Sequence, residues 1–154
     1  MLFRSTSLAT VANSATGAYE LTNSAGITVG AGGVSGDTTA LTASTGNITG
    51  AGTVSGTTSV ALSAAGNIGA SGAGNALNTA TAGTLAASGA NVYVDNTGAV
   101  TLDDVTTSLA TVANSATGAY ELTNSAGITV GAGGVSGDTT ALTASTGKIG
   151  RAHV

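Results

Sequence analysis

Residues Thr6 to Gly46, TSLATVANSATGAYELTNSAGITVGAGGVSGDTTALTASTG, return letter for letter as Thr107 to Gly147, a run of 41 residues displaced by 101. Leucine divides that displacement further. Leu21, Leu41, Leu62, Leu85, Leu102, Leu122 and Leu142 are separated by 20, 21, 23, 17, 20 and 20 residues, so five steps carry Leu21 onto Leu122. A period near 20 inside a longer repeat marks a solenoid, in which one supersecondary unit stacks on itself many times.

Each leucine sits in a short alternating segment, such as Ala18-Tyr19-Glu20-Leu21-Thr22 or Ser59-Val60-Ala61-Leu62-Ser63. With leucine inward, the residues two before it (Tyr19, Thr39, Val60, Val100) also point inward, and the following Thr or Ser faces water. A second apolar mark trails each leucine by six or seven residues, at Ile27, Ile48, Ile68, Val92, Leu109, Ile128 and Ile149. A third appears at Val34, Val54, Leu77 and Val135. Three marks per period predict an all-β, parallel β-helix of about seven coils, each of roughly 20 residues with three short strands. An α-helical reading fails because apolar residues do not recur at three and four, and Gly and β-branched residues are frequent.

The corners agree. Gly46-Asn47-Ile48, Gly66-Asn67-Ile68 and Ala90-Asn91-Val92 place Asn just before the second strand. Asn tolerates left-handed backbone angles and bonds its own main chain, so stacked coils should align Asn47, Asn67 and Asn91 into a structural ladder. Irregular steps predict a bulging coil at Ser71 to Asn78 and a short coil between Leu85 and Leu102.

The two ends differ from the rest. Residues 6–147 hold no Lys, Arg, His, Phe or Met; Phe3, Arg4, Lys148, Arg151 and His153 all lie in Met1 to Ser5 or Lys148 to Val154. Both segments resemble the translation of a common sequencing-library adapter. The codons ATC GGA AGA GCA CAC GTC read Ile149-Gly150-Arg151-Ala152-His153-Val154, and the reverse complement from a GTG start reads Met1-Leu2-Phe3-Arg4-Ser5. The same junction accounts for Lys148 where the first copy has Asn47. Residues 1–5 and 148–154 are therefore expected to be non-native and to add nothing to fold or function. Residues 6–147 read as a single β-helix fragment whose start, signal sequence and caps lie elsewhere. Open end coils expose unpaired N–H and C=O groups, which predicts end-to-end self-association as a product of truncation.

Residues 6–147 carry seven acids and no base: Glu20, Asp37, Asp95, Asp103, Asp104, Glu121 and Asp138. That charge argues against nucleic acid or anionic membrane as partner, since phosphate binding relies on cations. Low charge and a mean hydropathy of +0.36 oppose disorder. No apolar run approaches the roughly 18 residues of a membrane helix, so no membrane insertion is expected. Without cysteine, stability must come from stacked ladders.

The segments Ile27-Thr28-Val29-Gly30-Ala31-Gly32-Gly33, Val60-Ala61-Leu62-Ser63-Ala64-Ala65-Gly66-Asn67-Ile68 and Val92-Tyr93-Val94-Asp95-Asn96-Thr97-Gly98-Ala99-Val100-Thr101-Leu102 are similar in style to the repeat regions of large secreted exoproteins of Gram-negative bacteria. The chain thus resembles the filamentous-haemagglutinin-like and autotransporter adhesins. That resemblance implies a right-handed parallel β-helix, export to the cell surface, and a stalk or adhesive role. Its partners would be host or neighbouring cell surfaces or glycans, met through the parent protein. The family's secretion domain and membrane barrel have no counterpart here.

Little in the chain supports chemistry, and no catalytic, cofactor or metal residue is expected. The competing reading is a set of non-catalytic coils from a β-helical polysaccharide lyase or glycosidase. Glycosidases need two carboxylates facing each other across the bond. Asp103-Asp104 is the one close acidic pair, and as adjacent strand residues they should point to opposite faces. A lyase acting on uronates needs a cation, and residues 6–147 have none. Gly32-Gly33-Val34-Ser35-Gly36-Asp37 departs from the G-G-x-G-x-D calcium pattern and reads as a turn with a solvated Asp. Asn47-Ile48-Thr49 matches a glycosylation acceptor only incidentally. Tyr19, Tyr93 and Tyr120 could stack on sugar but are expected inward, filling the core. The Ser and Thr residues lack a histidine partner, so no nucleophile can be assembled.

Overall fold

Alternating side chains and strand-breaking corners produce three rows of parallel rungs and, among the described residues, no helix. The computed structural model describes residues 6–8 and 13–152. The leucine row pairs Tyr19, Thr39, Val60, Leu85, Leu102, Val130 and Arg151 in succession. The isoleucine row pairs Thr6, Ile27, Ile48, Ile68, Val92, Tyr120 and Thr140. A valine row begins at Asn13 and runs through Val34, Val54, Thr79, Asn96, Asn124 and Ala144. Each row has seven rungs, so the chain is a β-solenoid of about seven coils. At a rung spacing of about 4.8 Å it forms a rod roughly 34 Å long.

The core is the set of columns these rows create. Leu41, Leu62, Leu85 and Leu102 are fully buried along one side, and Ile27, Ile48, Ile68 and Val92 along another. Strands merge where a corner straightens. In the upper coils Val34–Ala43 and Val54–Ala64 each run through the valine and leucine rows, with an irregularity between Gly36 and Thr38. Lower down, Val92–Thr97 instead bridges the isoleucine and valine rows.

Coil length varies, and this corrects the leucine register. The leucine row steps 25 residues from Val60 to Leu85, then 17 to Leu102, then 28 to Val130. Leu85 therefore stands opposite Val60, and Leu62 faces Ala87. Leu122 does not continue beneath Leu102; it pairs with Val94 and Leu142 one row away. A displacement of 101 is thus not five whole coils. The bulge expected at 71–78 is present as a turn-rich loop before Leu77–Ala80, and the short coil is the 17-residue step.

The 28-residue step holds the one antiparallel pair among the described residues. After Leu102 the chain leaves the rod, and Val105–Thr106 pairs with Thr111–Val112 as a hairpin. Outward on the leucine row stands a column of Glu20, Ala40, Ala61 and Ala86. Val105 and Val112 bury themselves on those three alanines in a second small core. At the hairpin tip, Ser108 donates its N–H to Glu20 Oε1 at 3.1 Å and its hydroxyl to Glu20 Oε2. The hairpin thus folds back along the rod from the coil of Leu102 to the coil of Glu20. Leu109, expected inward, lies at this tip and is 43% exposed, because its backbone belongs to the turn and not to a rung.

Ile149–Arg151 pairs with Ile128–Val130 as the outermost leucine-row rung, so residues 149–151 take part in the ladder despite the expectation for this segment. All three are exposed.

Candidate functional site

The Asn ladder forms as the corners require. Asn47 Oδ1 accepts the Asn67 N–H at 2.8 Å, Asn67 Oδ1 accepts from Asn91 Nδ2 at 3.0 Å, and Asn91 Oδ1 accepts the Ala119 N–H at 2.9 Å. Each amide links its own coil to the next, so Asn47 of the Asn47-Ile48-Thr49 triplet is occupied structurally. A second polar column, unmarked by the period, lies inside the rod. Asn96 Nδ2 donates to Asn124 Oδ1 at 2.9 Å, and its Oδ1 accepts from Thr79 Oγ1 at 2.9 Å and the Thr81 N–H at 3.2 Å. Both Asn side chains are buried.

Three of the acids have structural work. Glu20 anchors the hairpin. Asp37 Oδ1 accepts from Thr57 and Thr58 hydroxyls of the next coil, and these bonds hold its carboxyl below the usual range. Asp103 Oδ1 accepts the Gly133 N–H at 2.8 Å and the Asp104 N–H at 3.0 Å, which lowers its pKa likewise. A carboxylate in such a backbone nest organises the Gly131–Gly134 turn. Asp103 and Asp104 do not sit on opposite faces of a strand. They follow the strand Val100–Leu102 in irregular chain, free of strand alternation, and a Cβ placed on Gly133 would meet both carboxylates. Among the described residues, no group of three or more His, Cys, Asp or Glu could hold a metal.

The tyrosines divide. Tyr19 and Tyr120 point inward, as expected. Tyr120 is buried, donates its hydroxyl to Asn114 Oδ1 at 2.6 Å, and burial pushes its phenol pKa well above 10. Asn114 in turn bonds the Leu85 and Asp103 carbonyls and the Ala87 N–H. Tyr93 departs from the expectation. Val92, Val94 and Asn96 are the buried members of its strand, so strand alternation turns Tyr93 and Asp95 outward, where both are half-buried.

Tyr93 and Asp95 line a cleft of about 420 Å³ together with Glu121 and Thr123 of the next coil. Tyr93 pairs with Glu121, and Asp95 with Thr123. Loop residues including Ala73 and Gly74 form the opposite wall. That wall is internally bonded: Ala70 N–H to Asn75 O at 3.0 Å, Asn75 N–H to Gly72 O at 3.1 Å, and Asn75 Nδ2 to Ser71 O at 3.1 Å. Gly69, with φ of +64°, roots the loop against the strand, since a Cβ there would stand 2.3 Å from the Tyr93 carbonyl oxygen. Among the described residues, the side chains of Tyr93, Asp95 and Glu121 make no hydrogen bond or ion pair. The cleft thus offers an aromatic ring, two free carboxylates and a hydroxyl in the volume range of small-molecule sites.

No protein-family model, curated protein or solved structure matches this chain. Sequence reasoning passed over Asn96, Asn114 and Asn124, whose signal would have been an Asn at an inward position of an alternating segment. It also misplaced Tyr93, whose flanking Val92 and Val94 carried the correct alternation.

Proposed function

We propose that this chain is a structural and adhesive repeat segment of a large bacterial exoprotein displayed at the cell surface or secreted, and not an enzyme. The observation that carries this reading is the unbroken stacking of three rows, in which each coil contacts mainly its neighbours and further coils add length without disturbing existing ones. A rod of this kind sets distance and presents repeated Ser/Thr faces for many weak contacts. Similarity of repeat style to the filamentous-haemagglutinin-like and autotransporter adhesins supports the same role. Fusing the chain to an outer-membrane barrel carrier and counting cells bound to epithelial layers or to one another tests it. Adhesion above that of the carrier alone is expected, and adhesion equal to the carrier's removes the adhesive half of the proposal.

We propose as well that the isolated chain associates end to end, as an artefact and not as a biological partner. Thr139–Ala144 and Ile149–Arg151 form outer rungs whose far edge pairs with no described strand, and Ile149 is 48% exposed. Such an edge templates another chain. Sedimentation at low micromolar concentration should show head-to-tail oligomers, and a monodisperse monomer would count against this association.

A further inference from the structure

We propose that the cleft at Tyr93 is a binding subsite for a non-anionic saccharide unit, with preference for an amino sugar. Only the biological use of the site rests on the adhesive reading; the chemistry rests on the cleft. Of the seven acids in residues 6–147, Glu20, Asp37 and Asp103 are bound to neighbouring groups within the fold. Among the described residues Asp95 and Glu121 have no such partner, and they share a concavity with the one tyrosine whose side chain is turned out of the core. Free polar groups converging on an aromatic inside a preformed cleft are the ordinary mark of a ligand site.

The arrangement selects the ligand. Tyr93, Asp95, Thr123 and Glu121 occupy the corners of one patch, because Tyr93 is opposite Glu121 and Asp95 opposite Thr123. The patch measures about 4.8 Å across the rungs and about 6.6 Å along them between Cα atoms. The two carboxylates are therefore diagonal, with the ring and the hydroxyl at the other corners. Carboxylates only accept hydrogen bonds. The ligand must then carry several donors spread over the patch, around a C–H surface that can lie on the ring. A hexose ring has that form, with hydroxyls at its rim and C–H groups on its face. A protonated amine adds attraction to two unneutralised carboxylates and to the ring. A uronate or sulfated sugar brings a like charge and is repelled. The first copy of the repeat lacks the site, since Glu20, which matches Glu121, is held by Ser108.

The test is NMR titration of the whole ¹⁵N-labelled chain with a glucosamine dimer, a glucose dimer and a galacturonate dimer. Shifts should concentrate on residues 70–76, 93–95 and 121–123, with affinity falling in that order of ligands and a Kd on the order of 1 mM for the neutral dimer. Tyr93→Ala should weaken every sugar by about tenfold or more. Glu121→Gln, at an exposed position, should weaken the glucosamine dimer by a larger factor than the glucose dimer, and equal weakening of both would overturn the preference for the amine. Uronate binding equal to the others, shifts scattered over the rod, or tighter binding of a lysine-rich peptide than of any sugar would each overturn the assignment. So would the absence of shifts at about 100 mM sugar, an upper limit for any useful site. Such failure together with retained adhesion by displayed cells would leave the adhesive proposal standing. Sugar binding without adhesion would do the reverse.

Discussion

Two identical stretches of chain occupy different places in this rod. Tyr19–Asn23 lies in the leucine row, whereas the same residues at Tyr120–Asn124 continue the isoleucine row beneath Ile68 and Val92. Thr6–Leu8 is a rung paired with Ile27–Val29, while Thr107–Leu109 makes the tip of the hairpin. The local sequence evidently encodes which side chains face in and which face out, and each row accepts that code equally. Which row a segment joins is decided upstream, by the residues spent on the 25-, 17- and 28-residue steps. Environment then diverges although identity does not. Tyr19 is half-buried and bonds Asn13 at 3.4 Å, but Tyr120 is sealed in the core and bonds Asn114 at 2.6 Å.

The sharpest challenge to this contrast is paired mutation of the equivalent tyrosines. Tyr120→Ala should cost about 3–5 kcal/mol in urea unfolding, and Tyr19→Ala about 1–2 kcal/mol. Equal losses would mean that the two copies share one environment. Next come the buried amides. Asn96→Ala strips the acceptor of Thr79 and the donor to Asn124, an expected loss of about 3 kcal/mol. Asn23→Ala should cost about 1 kcal/mol, since among the described residues its buried Oδ1 has no partner and only its bond to the Gly26 carbonyl is lost.

Alkaline titration gives a smaller contrast. Burial raises the phenol pKa of both Tyr19 and Tyr120, with the larger effect at Tyr120. A raised folded-state value means stability that is complete below the unfolded value near 10 and falls as pH climbs above it. Unfolding free energy measured from pH 8 to 11 should decline above about pH 10, with a shallower decline in Tyr120→Phe than in Tyr19→Phe. The smallest effect concerns the anchor at the hairpin tip. Ser108→Ala removes the exposed hydroxyl contact to Glu20, keeps the one from its backbone N–H, and should cost no more than about 0.5–1 kcal/mol.

Much of the fold was legible because a solenoid repeats its own grammar. Leucine spacing, inward alternation and Asn at the corner before Ile48, Ile68 and Val92 yielded the coils, the ladder, the loop at 71–78 and the short coil. Row assignment was illegible, because alternation in Tyr19–Asn23 and Tyr120–Asn124 is the same on any face. The hairpin was hidden for a related reason. Thr107–Val112 is identical to Thr6–Val11, so no residue within it announces a turn, and only Val105 with its alanine stripe selects that state. Of the cleft, the carboxylates were visible in the sequence. Their convergence was not, because Asp95 and Glu121 stand 26 positions apart and meet only through the 28-residue step.

A stack of coils that touch only their neighbours opens from its ends, one layer at a time, with each layer lost independently of those far away. The hairpin changes that order. By lying across Ala86, Ala61 and Ala40 and gripping Glu20, it couples residues 88 apart and ties the fate of an end coil to a segment from the middle of the rod. Fraying at the Tyr19 coil must first free Ser108, so opening there becomes a shared event across several layers. The dependence also runs backward in time during synthesis. The coils carrying Glu20, Ala40 and Ala61 emerge early but gain their lateral brace only once Val112 has been made, and an upper end handled before that moment should exchange its amide protons far faster than the finished molecule.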